Sequence, residues 1–452
     1  MHDTYESPFS TRYASKEMSH IFSAEFKFQT WRKLWIALAK GEKSLGLPIS
    51  DAQIHAMETA KLNIDLAEKY EKTFRHDVMA HIHAFGEECP EAKGIIHLGA
   101  TSCFVTDNTD LIQMREGLHI LKSKLIQLIR QLADFSLKQS NIACLGYTHF
   151  QTAQPTTVGK RACLWLQDFV LDFHDIETRT IRFLGLKGAT GTQASFLSLF
   201  NNDSNKVKKL ETFVAKEMEF SHVFSIAGQT YTRKQDVQIL SLLNGLAVSS
   251  HKFATDLRLL AHLKELEEPF HTTQVGSSAM PHKKNPMQAE RICGLSRFLI
   301  SLCENPSYTA ATQWLERSLD DSSNRRLVIP EAFLCADSIL NLLLSITANI
   351  QIHPDIIAKH LQEELPQIAL ENILIAASKK GKDRQIVHEH LRKHAPKPND
   401  PVLGLSEQEI NTLLQPNTGR AKEQVDEYLK EEIYPLLEKY KTVKPSLHSI
   451  DL

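Results

Sequence analysis

Residues Gly276 to Pro286 read Gly-Ser-Ser-Ala-Met-Pro-His-Lys-Lys-Asn-Pro. Hydroxyls, an imidazole and ammonium groups crowd this short stretch, and these are the groups that move protons and stabilise anions. Its glycine and prolines cannot continue a helix or sit in a central strand, so the segment is predicted to be a loop between helical sequences. Ser277 or Ser278 can serve there as a nucleophile, as a proton acceptor or simply as a turn residue. There is no G-x-S-x-G elbow and no strand signal leading into the loop, which disfavours a hydrolase serine. Gly276, Gly99 and Gly228 build neither a phosphate loop nor a dinucleotide fingerprint. No metal-ligand spacing is visible, so no metal or cofactor is expected. Serine, histidine, lysine and arginine together suit removal of a proton next to a carboxylate, with protonation of the leaving group.

Five other polar clusters carry similar chemistry, each with an ordinary structural alternative. Arg75-His76-Asp77 joins a cation, an imidazole and a carboxylate, or is a solvated helix turn with a local ion pair. Gly99-Ala100-Thr101-Ser102 precedes a long helical run. It can aim N–H and hydroxyl donors at a carboxylate or phosphate, or act as a plain N-cap completed by Asp107 or Thr109. Thr148-His149 lies between two helical runs, close to Gln151 and Gln154, and histidine is the residue that exchanges protons near neutral pH. Gly228 to Lys234 either caps a helix through Thr232 or orients an anion through Gln229 and Arg233. Asp320 to Arg326 places paired arginines beside hydroxyls, as bidentate oxyanion recognition requires, although an exposed helix end has the same composition.

Long helices are the elements that must position these groups. Leu111, Met114, Leu118, Leu121, Leu125, Leu128, Leu132 and Phe135 step by three, four or seven, as one buried helix face requires. A second run opens after Pro155, a favourable first-turn residue, and continues to about Leu184. A third extends from about Lys234 to Glu267. Thirty helical residues span about 45 Å, so such helices bury their apolar faces against one another or against other subunits. An all-α fold is predicted: an N-terminal helical part (1–106), a central long-helix bundle carrying the loop (107–353) and a C-terminal helical part (354–452).

The net charge of −2 leaves no basic footprint for nucleic acid. The start of the chain lacks a signal-peptide pattern, and no apolar run of about 18 residues suggests a membrane span. The 7 cysteines are scattered singly, which fits reduced thiols in a cytoplasmic protein.

The segment Gly276–Pro286 resembles the signature loop of the fumarase/aspartase superfamily, G-S-S-x-M-P-x-K-x-N-P. Further segments are similar to the adenylosuccinate lyase branch in its animal-type form. They are Ser10–Ser15, Arg75–His81, His97–Ser102, Thr148–Gln151, Gly228–Lys234 and Leu319–Arg326, so the resemblance runs from about residue 5 to about residue 440. It implies a homotetramer with a helical core and active sites assembled from three subunits. It also implies release of fumarate from adenylosuccinate to give AMP, and from SAICAR to give AICAR, without a cofactor. By resemblance, Ser277 is the general base at the Cβ proton and His149 the acid at the departing nitrogen. Lys283, Thr101 and Ser102 stabilise the developing charge, and His76, with Asp77 beside it, supports the substrate phosphate or His149. Arg12, Tyr13, Arg291, Ser322 and Arg326 are implied nucleotide and phosphate ligands, and Gln229 a succinyl or base contact. Arg75, Thr148, Ser278, Asn285 and Arg317 are the remaining implied substrate contacts. The loop is expected to order over bound substrate. Departures are small: Thr152 replaces a proline common among relatives, and His282 a tyrosine. Among other lyases of the superfamily, the cationic segments favour a nucleotide substrate over a small dicarboxylate. A catalytically silent structural protein is disfavoured by the intact Ser277, His149 and Lys283.

Overall fold

The computed structural model describes residues 3–270 and 274–442. Its N-terminal part is a set of short and medium helices. Of these, α1 (Ala24–Ser44), α2 (Ile64–Phe74) and α3 (Asp77–Glu88) frame the later site. The helix α4 (Ser102–Lys138) follows and is 37 residues long. All eight apolar positions that the spacing assigned to its inner face are buried. Four more bundle helices come after it: α5 (Val158–Thr178), α6 (Lys234–His262), α7 (Met287–Leu302) and α8 (Asp320–Thr347). Helix α4 packs on α5 and α8, while α6 packs on α5, α7 and α8. Close approach of α4 and α8 requires Gly117, where an added Cβ would lie 2.6 Å from Cδ1 of Phe333.

Two boundaries differ from the sequence reading. Pro155 does not open a helix. It lies in a hairpin formed by β1 (Ala143–Thr148) and β2 (Gln151–Thr157), and α5 begins only at Val158. The β-branched Thr152, Thr156 and Thr157 favour an extended chain there, and a two-stranded ribbon consists only of edges, where proline is tolerated. The third run ends at His262 rather than Glu267, because Lys264 adopts a left-handed φ of 59° and turns the chain into β3 (Leu266–Glu267). Strand β3 pairs with β4 (Gln351–Ile352) just after α8.

A third difference concerns α8, which is long and apolar enough to cross a membrane by length and composition, although no such segment was expected. Its apolar side chains are spent on the bundle: Phe333, Ile339, Leu340, Leu343 and Ile346 are fully buried. Beyond it, α9 (Pro354–Ile368) and α10 (Leu370–Lys379) lead into a second small core built on Ile373, Ala377, Val387, Leu403 and Ile410. Val425, Leu429 and Ile433 then return to the main core.

Candidate functional site

A buried charge lattice ties α4, α6 and α8 together. Arg233 donates through Nε to Asp321 (2.7 Å) and through both Nη atoms to Asp107 (2.9 and 3.2 Å). Arg325 pairs with Asp236 (2.7 Å) and Asp110 (2.8 Å), and also donates to the Tyr231 hydroxyl. That hydroxyl in turn donates to Asp236 at 2.6 Å. Burial raises the Asp110 carboxyl above its usual range, with Arg325 opposing it. Removing one partner of such a lattice leaves an uncompensated buried charge, which costs about 3–5 kcal/mol. The expectation that Arg233 orients a substrate anion is therefore corrected: its side chain is buried and its donors are taken. Asp107 likewise serves the lattice instead of finishing a helix cap. The capping alternative is corrected too: the N-cap of α6 is Arg233, without a side-chain capping bond, and Thr232 only accepts locally from Lys234 N–H at 3.3 Å.

Over this floor lies an open cavity of about 820 Å³, within the range of small-molecule sites. Of the residues singled out from the sequence, Arg75, His76, Asp77, Ser102, Gln229, Arg317, Ser322 and Arg326 line it. Arg75 ends α2 with a left-handed φ of 53° and stands exposed at the rim. His76 occupies the N-cap of α3, its Nδ1 accepting from Met79 N–H at 3.3 Å. A neutral His76 then carries its proton on Nε2, which faces the Ser102 hydroxyl at 3.5 Å. Arg326 donates to Asp77 at 3.2 Å, and Arg317 to both oxygens of Asp321 at 3.0 Å. Gln229 donates to the Ala189 carbonyl at 3.2 Å. Thr101 holds the N-cap position of α4, but its side chain makes no capping bond, so the plain N-cap alternative fails there. Lys27, Thr106 and Asp110 also line the cavity and escaped the sequence reading, and Asp107 lines it although the sequence reading took it only as part of a helix cap. Asp107 and Asp110 carried a signal, since i and i+3 on a helix share a face.

The loop has its own internal order. Ser277 Oγ accepts from Ala279 N–H (3.3 Å) and Met280 N–H (3.1 Å), whereas Ser278 is exposed. Asn285 donates to the Gly276 carbonyl at 2.8 Å and closes the turn. A side chain at 276 would meet the Lys283 carbonyl at 2.1 Å, which explains the glycine. At the base of the loop, buried Glu268 accepts from Gln288 N–H and Ala289 N–H at 3.0 Å, capping α7 and tying the two ends together. Lys283 is exposed. Near the start of α7, the guanidinium of Arg291 sits 5.7 Å from the ring centroid of Tyr13, with Arg12 at 6.0 Å on the same ring. One Nη of Arg291 is buried without a hydrogen-bond partner among the described residues.

His149 and Phe150 form the two-residue tip of the β1–β2 hairpin, with φ of 53° and 57°. Positive φ at both central positions is the hairpin geometry that usually takes Asn-Gly. Bulky residues held there are strained, and such strain concentrates at functional sites. Thr148 and His149 are exposed, and the hairpin is held from the other side by Thr152–Glu364 (3.1 Å) and Gln154–Glu371 (2.7 Å). Within one chain, then, the cavity residues come together and Arg12, Tyr13 and Arg291 form a second group. Ser277, Lys283 and His149 are not among the cavity-lining residues.

A family model described as Lyase matches residues 12–299. The chain is 46% identical to adenylosuccinate lyase of Schizosaccharomyces pombe and 45% identical to that of Saccharomyces cerevisiae, each over 97% of both chains. It is 43% identical to adenylosuccinate lyase of Schistosoma mansoni over the same share. Among solved structures it superposes on 3-carboxy-cis,cis-muconate lactonizing enzyme from Pseudomonas putida with a TM-score of 0.81, covering 96% of this chain and 99% of that one. Fumarate lyase from Mesorhizobium sp. BNC1 gives 0.80, covering 95% and 100%. At 22% identity, both structures speak to the fold alone.

Proposed function

Because this chain belongs to the fumarase/aspartase superfamily of lyases, and within it to the adenylosuccinate lyases, we propose that it eliminates fumarate from adenylosuccinate to give AMP, and from SAICAR to give AICAR. Ser277 takes the Cβ proton of the succinyl group. The electron pair left on Cβ spreads onto the adjacent carboxylate and then forms the double bond of fumarate as the C–N bond breaks. His149 gives its proton to the departing nitrogen.

The observation that carries this reading is the pair of backbone N–H groups aimed at Ser277 Oγ. A serine hydroxyl is a poor base in water because its alkoxide is unstable. Two fixed donors lower that cost, and closure of the loop over substrate would lower it further by excluding water. No such donors serve Ser278 among the described residues, so we assign the base to Ser277. Lys283, Thr101 and Ser102 are assigned to the developing carboxylate charge. Arg12, Tyr13, Arg75, Asp77, Arg291, Arg317, Ser322 and Arg326 are assigned to the nucleotide and its phosphate, and His76 supports that phosphate or His149. Gln229, Thr148, Ser278 and Asn285 complete the substrate contacts.

The family acts on small molecules. We further propose a homotetramer with each site shared among three subunits. Support comes from the separation of His149 and Ser277 from the cavity lining, and from Leu164 and Leu171 on α5 and Val248 and Leu259 on α6, which are exposed in the single chain. A cytoplasmic location is proposed from the seven unpaired thiols. The test is to incubate the purified protein with adenylosuccinate, argininosuccinate, aspartate and malate and to follow fumarate. Release from adenylosuccinate is expected, and no fumarate from it would overturn the reading.

A further inference from the structure

Lys27 stands in the first turn of α1 and lines the cavity together with Arg75, Asp77, Asp110 and Arg326. Four of the five arginines that line the cavity have a carboxylate: Arg233 has Asp107 and Asp321, Arg317 has Asp321, Arg325 has Asp110 and Asp236, and Arg326 has Asp77, whereas Arg75 stands exposed at the rim. Among the described residues the Lys27 ammonium makes no ion pair and no hydrogen bond, while its backbone N–H donates to the Ser23 carbonyl. Its Nζ lies 5.4 Å from the ring centroid of Phe28 and 5.3 Å from that of Trp31. Phe28 stacks on His81 at 3.8 Å. Burial, with Asp77 opposing it, holds His81 down at about 4, so this platform adds no second cation at neutral pH. Burial likewise lowers the Lys27 ammonium from its ordinary range, and Asp110 only partly offsets this.

An ammonium withdrawn from water onto ring faces is under-compensated until an anion reaches it. Of the carboxylates that act on Lys27, Asp110 and Asp77 are already engaged by Arg325 and Arg326. Glu71, also at the cavity, makes no ion pair with it among the described residues, while the open side of Lys27 is the cavity. We infer that Lys27 is a further substrate-binding residue, holding an oxyanion of the bound substrate above the aromatic platform of Phe28 and Trp31. This rests on the lyase reading above. The oxyanion is the nucleotide phosphate or a succinyl carboxylate, and lysine serves either as a compact point charge.

The test is Lys27→Met in the full chain, which keeps the apolar stem and removes the charge, with Lys27→Arg as the rescue. Inhibition of adenylosuccinate cleavage by AMP reports the phosphate, and inhibition by fumarate reports the carboxylates. One of the two inhibition constants is expected to weaken about ten- to a hundredfold, the loss of one charge-assisted contact. The melting temperature should be unchanged, and Lys27→Arg should recover most of the affinity. Unchanged inhibition by both ligands would overturn the inference, as would a loss accompanied by a lower melting temperature that arginine does not rescue. If the wild-type protein releases no fumarate from adenylosuccinate, the lyase reading is what has failed. Calorimetric titration of both variants with AMP and with inorganic phosphate then decides the role of Lys27 by itself.

Discussion

At the scale of single residues, the two adjacent serines separate on their hydrogen bonds. Ser277 Oγ receives two backbone N–H groups and Ser278 projects outward, so their alanine variants should behave differently. Ser277→Ala is expected to lower kcat by at least about a hundredfold, the usual span of a general base, while AMP still binds with an affinity within a few-fold of the wild type. Ser278→Ala should retain far more activity. Steady-state kinetics alongside AMP titration measures both, and equal losses in the two variants would undo the assignment. The motif spelling alone could not make this distinction, because adjacent serines in a loop look alike until the backbone is folded. Arg233 shows the same limit from the other side. As a sequence letter it suits anion binding, but three buried helices direct its donors to Asp107 and Asp321.

At the scale of elements, the loop and α1 each make a prediction. Residues 274–288 are joined at their base by Glu268 and closed by Asn285, but Ser278 to Lys284 are exposed. Amide hydrogen exchange across 274–288 should slow on adding AMP and fumarate together, because the loop is expected to order over ligand. Exchange indifferent to ligands would exclude a closing lid. In α1, Glu42 is fully buried and neither carboxylate oxygen has a hydrogen-bond partner among the described residues. Burial raises its carboxyl to about 8. A raised folded-state value means that the native protein holds a proton the unfolded chain has released. This group therefore favours folding most below its unfolded value near 4.5, and that contribution is lost as pH rises toward 8. Glu42→Gln should thus gain stability relative to the wild type as pH increases from 5 to 8, by up to a few kcal/mol. Denaturant unfolding at several pH values measures the gap, and a gap independent of pH would show that Glu42 is already ionised in the fold.

At the scale of the whole molecule, the proposed acid and base do not join the cavity lining within one chain. If copies of the chain share each site, mixing inactive Ser277→Ala with inactive His149→Ala subunits should restore part of the activity. Some mixed sites then draw an intact serine and an intact histidine from different chains. The recovery is read by fumarate release after dissociation and reassociation. A mixture as inactive as its components would place both groups in the same chain's site.

Helical spacing by itself determined the all-α class and the inner face of α4, since an apolar residue every three or four positions has only one way to be buried. The sequence also determined that Gly276 to Pro286 is a loop, because proline and glycine act locally. Tertiary structure decided the rest. It turned Pro155 into a strand residue and put His149 on a hairpin tip with left-handed backbone. It paired Arg233 and Arg325 with carboxylates and left Lys27 facing the cavity without one. Those outcomes depend on which residues far apart in the chain become neighbours once the long helices pack, and local spacing does not encode that.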